Sequence, residues 1–366
     1  MSETSRIELP DPFRFEDGRR VRSAQDWRNR RQELTDLILD IEYGRLPPAP
    51  AATTGEQLHQ HEVPHLLGAR HVQYRLNVSA DGTVQFTLDL MIPAGEGPFP
   101  VVLNGDGCWR YVTDQVTLAV LRRGYMLAQF NRVEIVPDNY RCDRTSGLYL
   151  VAEGDYGALA AWAWGYHRCV DFLVTLDGVD AARIAVVGHS RGGKTALLAG
   201  ATDERIALTA PNNSGSGGAG CFRWPGPKCE TLADGLRMVP YWYSPRLKEY
   251  VGREDALPFD QHSLKALVAP RALLSTEALG DLWANPTGTW QTHLAAREVY
   301  RFLGAQERIG ICYRPGEHDH GLADWEAFLD FADWQLRGQP PRRRFDANPF
   351  PDLPAAFSWT APRTDA

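Results

Sequence analysis

The sequence predicts an α/β protein: a three-layer sandwich with a mostly parallel central sheet, helices on both faces and an antiparallel hairpin at its N-terminal side. Three observations predict it. From Phe99 onward, short and nearly continuous apolar runs alternate with helix-like segments, as expected when strands are buried on both faces of a parallel sheet. Before that point the apolar residues alternate strictly with polar ones on either side of a turn. Finally, no internal repeat or low-complexity tract interrupts the series.

Taken in order, residues Ala24 to Tyr43 carry Trp27, Leu34, Leu37, Ile38 and Ile41 at helical spacing with charges opposite, which predicts an amphipathic helix packed on the main body. A polar, Ala/Pro-rich linker follows at Pro47–Gly55. Val72, Tyr74, Leu76 and Val78 form one arm of the hairpin, Ser79–Gly82 its turn, and Val84, Phe86, Leu88 and Leu90 the other arm. The parallel strands are expected at Pro100–Leu103, Tyr125–Phe130, Arg183–Val187, Ile206–Ala210, Arg271–Ser275 and Ile309–Tyr313. Helices are expected at Gln115–Arg123, Gly157–Leu176, Gly192–Ala201, Thr289–Leu303 and Leu322–Leu336. The whole chain, 1–366, reads as one domain, with 1–55 supplying the helix and linker packed on it and 338–366 a Pro-rich tail.

Composition narrows the function classes. Hydrophobic residues at 43% and charged residues at 23% are those of an ordinary globular protein. The formal net charge of −7 provides no basic field for a phosphate backbone, and Arg342-Arg343-Arg344 reads as a solvated tail. No run approaches the roughly 18–20 apolar residues that span a bilayer. The N-terminal residues show no basic start followed by an apolar stretch, so the expectation is a cytoplasmic protein, or a secreted or periplasmic one if a signal was removed. Six scattered cysteines without a C-x-x-C pair indicate neither a zinc site nor a disulfide framework, and free thiols are expected. No cofactor or metal is implied.

One motif carries chemistry. Ile184-Ala-Val-Val-Gly188-His189-Ser190-Arg191-Gly192 sets G-x-S-x-G between a strand-like and a helix-like run, the context of a nucleophile elbow and hence of an α/β-hydrolase fold. A serine hydroxyl needs a base to take its proton and an acid to orient that base. Of ten histidines, His59, His61, His65 and His71 precede the sheet and read as surface or structural residues, while His167 and His293 fall within helices. His318, after the last strand-like run in Gly316-Glu-His318-Asp-His320, stands where this fold presents its base, with His320 as the alternative. The acid should follow the preceding strand, where Asp281 is favoured over Glu277; Asp281 could also cap a short helix. The Arg191 amide, with a second donor from the loop Asn104-Gly-Asp-Gly-Cys-Trp109, would hold the oxyanion.

These residues, with Asp203-Glu-Arg-Ile, Asn212-Asn-Ser-Gly-Ser-Gly-Gly218, Leu257-Pro-Phe-Asp-Gln-His262 and Leu267-Val-Ala-Pro-Arg271, resemble the glucuronoyl esterases, bacterial ones in particular. The resemblance runs from about residue 150 to 336, with a weaker match at Glu42-Tyr-Gly-Arg-Leu-Pro. It implies cleavage of esters of the 4-O-methyl-glucuronic acid carboxyl group through an acyl-enzyme, without metal. It also implies that the Arg191 guanidinium lies on the developing oxyanion, that Lys194 and Glu230 meet sugar hydroxyls, and that Trp283 packs on the sugar. Asp260 and His262 match as well, although Asp260 reads equally well as a helix cap. Many family members carry the triad glutamate where Asn213 stands here, so the resemblance leaves the acid to the later strand.

The resulting expectation is a monomeric serine esterase acting on a small-molecule or oligosaccharide uronate ester, with Ser190, His318, Asp281 and Arg191 in the chemistry and Lys194, Glu230 and Trp283 in binding. A general carboxylesterase or acetyl (xylan) esterase, and a non-catalytic carbohydrate-binding relative, are the alternatives.

Overall fold

In the computed structural model, which describes residues 7–79, 81–109, 112–140 and 144–363, nine strands form one sheet in the order β1-β2-β3-β5-β4-β6-β7-β8-β9. They are β1 (Thr54–Val63), β2 (Ala69–Asn77), β3 (Gln85–Ile92), β4 (Phe99–Asn104), β5 (Met126–Phe130), β6 (Val179–His189), β7 (Ile206–Asn212), β8 (Ala272–Ala278) and β9 (Ile309–Arg314). Pairing is antiparallel from β1 through β3 to β5 and parallel thereafter.

Period-two alternation sorts each central strand between two cores. Val101, Leu103, Ile184 and Val186 face one apolar layer, and Val102, Ala185 and Val187 face the other. Because both layers are occupied, these strands are apolar without interruption, which is why they were legible. The helices are α1 (Ala24–Ile38), α2 (Asp114–Arg122), α3 (Ala158–Leu173), α4 (Arg191–Thr202), α5 (Leu232–Met238), α6 (Gln261–Val268), α7 (Pro286–Phe302) and α8 (Leu322–Arg337). Residues of α1, α3, α4 and α6 share the first layer; α2 and α8 cover the second.

Helix α1 starts at a capping box, Ser23 with Asp26, and its last turn widens into a π-helical turn at Leu39–Tyr43. It docks through Arg31, whose guanidinium donates to the carbonyls of Leu267 (2.9 Å) and Ala201 (3.0 Å) at the C-terminal ends of α6 and α4. A cation there meets the negative end of both helix dipoles.

Four expectations change. Residues 54–63, read partly as linker, form the edge strand β1; it is exposed at nearly every position, so neither face shows apolar alternation. His59, His61 and His71 therefore lie within the sheet rather than before it. Helix α5 was not anticipated. The C-terminal segment is not a free tail: Phe345 accepts from the Ile311 amide of β9 at 2.8 Å, Ala356 accepts from Leu9 at 2.7 Å, and Trp359 packs on Phe13. Within it Arg343 pairs with Asp330 at 2.7 Å and Arg344 with Asp346 at 3.0 Å, so that basic run is largely neutralised. Ala80 of the hairpin turn and Cys142 lie outside the described residues; Cys108, Cys169, Cys221, Cys229 and Cys312 are free thiols. Among the described residues no helix is long and apolar enough to cross a membrane.

The carboxyl ends of β4, β6, β8 and β9 converge on one rim of the sheet, where open α/β sheets hold their ligands.

Candidate active site

Ser190 sits between β6 and α4 at φ +56° and ψ −123°, a backbone state that an L residue adopts at a cost of about 1–3 kcal/mol. The surroundings enforce it. The Ser190 amide donates to Asn212 O (2.9 Å) and its carbonyl accepts from Lys194 N (3.0 Å). A Cβ on Gly188 would lie 2.3 Å from Gly192 O, and one on Gly192 would lie 1.9 Å from Asp106 Oδ1, so both motif glycines are steric requirements. Asp106, from the loop after β4, also accepts from the His189 amide at 2.8 Å and pairs with the fully buried Arg132, which ties the turn to that loop.

The proposed base and acid meet beside this turn. His318 follows β9 and its Nδ1 lies 2.5 Å from Asp281 Oδ2. The histidine side chain is 40% exposed and the aspartate 3%, so the acid is fixed and the imidazole faces the open rim. The other oxygen, Asp281 Oδ1, caps the short turn Leu282–Ala284 by accepting from Ala284 N at 3.3 Å; capping and orienting are thus divided between two oxygens of one carboxylate. The His318 ring lies 4.5 Å from the ring of His189, the residue before Ser190.

The competing residues are engaged elsewhere. Glu277 is buried in β8, where burial pushes its carboxyl well above the usual range, with Lys265 as the nearby cation. Asn213, at φ +41°, accepts from Ala278 N (2.7 Å) and donates to Asp319 O (3.1 Å), bracing the end of β8 against the histidine loop. His320 stacks on Trp325 at 5.1 Å, and burial lowers its pKa far enough to keep it neutral. His189 is held by Asn212 Oδ1 at 2.6 Å, and burial, reinforced by His318, brings it down to about 4.

The second wall carries fixed charge. Arg191 donates to Asp138 Oδ2 at 2.8 Å and lies over the rings of Trp242 (4.8 Å) and Trp109 (5.6 Å). Asp138 also accepts from Tyr241 Oη (2.6 Å) and Trp242 Nε1 (3.1 Å); burial alone would raise its pKa, but these donors and Arg191 outweigh it and the carboxyl stays low. Lys194 is buried, bonds the Ser216 carbonyl and pairs with Glu230 Oε2 at 2.9 Å. The Glu230 amide donates to Trp283 O (2.9 Å), while the Trp283 ring, two residues after Asp281, is 43% exposed. The predicted residues are thus linked by contact: the His318 ring lies beside His189, Lys194 bonds the Ser190 carbonyl through its amide, and Glu230 joins Lys194 to the Trp283 backbone.

In the loop after β4 most amides have partners within the protein. Its amides at Gly105, Asp106, Gly107 and Trp109 already donate to Tyr166 Oη, Asn104 Oδ1, Phe130 O and Asp106 O. Its glycines serve packing, since a Cβ on Gly105 would meet the Tyr166 ring and one on Gly107 the Phe130 carbonyl. These four amides are committed within the protein, which leaves the Arg191 side chain and amide, and within this loop the Cys108 amide, as the candidate oxyanion donors. Asp260, buried, caps α6 and accepts from the amides of Phe222 (3.0 Å) and Arg223 (3.1 Å), a structural role; His262 bonds Pro10 O at 2.9 Å.

Sequence reasoning missed Asp138, Trp109, Tyr241 and Trp242, which hold Arg191, and the Asp106–Arg132 pair behind the elbow. Asp106, a carboxylate between two glycines at the end of a strand, had a usable signal; Asp138, in an irregular segment, had none.

A family model described as "Glucuronyl esterase, fungi" matches residues 76–304. The 4-O-methyl-glucuronoyl methylesterase of Podospora anserina is 34% identical over 316 residues, 83% of this chain; the chain spans 62% of that relative's length. A glucuronoyl esterase of carbohydrate esterase family 15 from Caldicellulosiruptor kristjansonii superposes with a TM-score of 0.84 at 32% identity, covering 97% of each chain. A serine-to-alanine variant of the Sporotrichum thermophile glucuronoyl esterase, in complex with methyl 4-O-methyl-β-D-glucopyranuronate, superposes with a TM-score of 0.78 at 26% identity, covering 93% of this chain and 92% of that one.

Proposed function

The chain belongs to the glucuronoyl esterase family, and from that premise we propose that it hydrolyses esters of (4-O-methyl-)glucuronic acid through an acyl-enzyme on Ser190. The observation that carries this reading is the Asp281–His318 pair, 2.5 Å apart, beside a serine held at positive φ.

In the first half-reaction His318 Nε2 takes the Ser190 proton as Oγ attacks the ester carbonyl. The imidazolium is stabilised by Asp281, whose buried carboxylate also fixes the tautomer with Nδ1–H toward itself. Negative charge develops on the carbonyl oxygen; Arg191, held by Asp138 and two tryptophans, answers it with a full positive charge that need not reorganise. Collapse breaks the bond to the alcohol oxygen, which receives the proton from His318. Water, deprotonated by His318, then attacks the acyl-enzyme and releases the uronate and Ser190.

Selectivity for a uronic acyl group rests on Lys194 and Glu230, whose polar atoms suit sugar hydroxyls, and on the exposed face of Trp283 as a platform for the ring. An acetyl group offers none of these contacts. The test compares kcat/KM for benzyl D-glucuronate and p-nitrophenyl acetate, with Ser190→Ala as the blank. The expected result is a strong preference for the glucuronate ester and loss of both activities in the variant; preference for acetate would assign a general esterase instead.

A further inference from the structure

Three histidines stand together away from the elbow, on the β1–β2 ladder. The antiparallel register sets His61 directly opposite His71 and His59 opposite Gln73, so all three side chains leave the same face of the ladder. Their rings pack edge to face at centroid separations of 4.8, 5.4 and 5.1 Å. One ring nitrogen from each lies within 4.8 Å of the other two, and His61 Nδ1 is 3.2 Å from His59 Nε2. Two nitrogen ligands about 2.0–2.1 Å from a tetrahedral zinc ion lie about 3.3 Å apart, so that pair already has the spacing of a shared metal.

The third ring is held from behind. His71 Nε2 lies 2.9 Å from Asp89 Oδ1 on β3, and the same oxygen accepts from Gln73 Nε2 at 3.0 Å. A carboxylate receiving one N–H of an imidazole fixes its tautomer and leaves the other nitrogen with its lone pair, the arrangement that supports metal-bound histidines. The cluster stands on a ladder whose first strand is exposed along almost its whole length, so an ion can reach it from solvent. The scattered cysteines argue against a thiolate site and are silent about imidazoles.

We propose that His59, His61 and His71 bind a divalent transition metal ion, Zn2+ above all, on the exposed face of the β1–β2 ladder. Imidazole donors suit Zn2+, Cu2+ and Ni2+ and disfavour Mg2+ and Ca2+, which take oxygen ligands. Three rings leave one tetrahedral position for water or an anionic group. His71, Gln73 and Asp89 also line a cavity of about 670 Å³ whose wall includes Gly107 and Trp109, the ring over which Arg191 lies. It would also staple the open edge strand to its neighbour.

The test titrates the untagged, chelator-stripped full chain with Zn2+ by calorimetry, and with Co2+ by visible absorption. Saturable 1:1 binding, a tetrahedral Co2+ spectrum and a Zn2+-dependent rise in Tm are expected. His61→Ala and, separately, His59→Gln should each weaken binding by at least about tenfold, and Asp89→Asn by about 10–100-fold, while His65→Ala should not. Metal-free melts equal to wild type show that the exposed-site variants fold. Absence of saturable binding in the wild type, or an unchanged isotherm in both histidine variants, would overturn the proposal.

Discussion

The two walls of the rim are built on opposite electrostatic terms. On one, a half-exposed imidazole leans on a buried carboxylate. On the other, Arg191 and Lys194 are each locked to a carboxylate, Asp138 or Glu230, and pressed against Trp242. The difference matches the roles proposed for the two walls. A group that passes a proton twice per turnover has to change charge at low cost, so it stays near water and only its orienting partner is buried. A group that answers a developing oxyanion has to keep its charge and place, so it is paired with a carboxylate and packed on aromatic rings.

The largest effect should come from breaking the proton-transfer wall. Asp281→Asn should lower kcat/KM by about 10³–10⁴-fold, because the amide cannot stabilise the imidazolium or hold its tautomer. Glu277→Gln, four residues earlier within β8 and buried beside Lys265, should change kcat/KM by less than about threefold. Equal losses in the two variants would remove Asp281 from its role.

Next, Arg191→Ala should lower kcat by about 10²–10³-fold with little change in KM, the pattern of an interaction that strengthens in the transition state. Asp138→Asn should lower kcat by about tenfold, since Arg191 keeps its charge and loses only its anchor. A pure KM effect in Arg191→Ala would mean that this wall binds the ground state alone.

The smallest effect sharpens the comparison by pH. Glu42, at the end of the α1 π-turn, receives Gln261 Nε2 on both oxygens at 2.9 and 3.0 Å, yet burial pushes its carboxyl up to about 8, against 4.5 in an exposed chain. An acid whose folded pKa is raised contributes stability that is complete below pH 4.5 and is lost as pH rises to about 8. Across that window the wild-type Tm should therefore fall relative to that of Glu42→Gln, by on the order of a few degrees. A pH-independent difference would show that Glu42 does not titrate there.

Much of this was legible in the sequence, and the reasons are physical. Strands buried on two faces announce themselves as apolar runs, and the elbow needs glycines where Gly188 and Gly192 stand. The order of strand ends put Ser190, Asp281 and His318 on one rim. What escaped was whatever depends on long-range pairing: β1 has no buried face to impose alternation, Asp138 reaches Arg191 from an irregular segment, and four amides after β4 are spent on partners that only the fold reveals. Asn213 could be read as lacking a carboxylate's charge, but not as a brace between β8 and the histidine loop.

The pairing of Leu9 with Ala356, with Trp359 Nε1 also bonding the Leu9 carbonyl at 2.7 Å, joins the two ends of the described chain. Each end is thereby the other's cover: neither can fray without exposing Phe13, which Trp27, Phe302 and Trp359 surround. Protease attack at one end should thus wait on the opening of both, and trimming the C-terminal strand of this clasp should loosen the docking of α1 at the opposite end of the sequence.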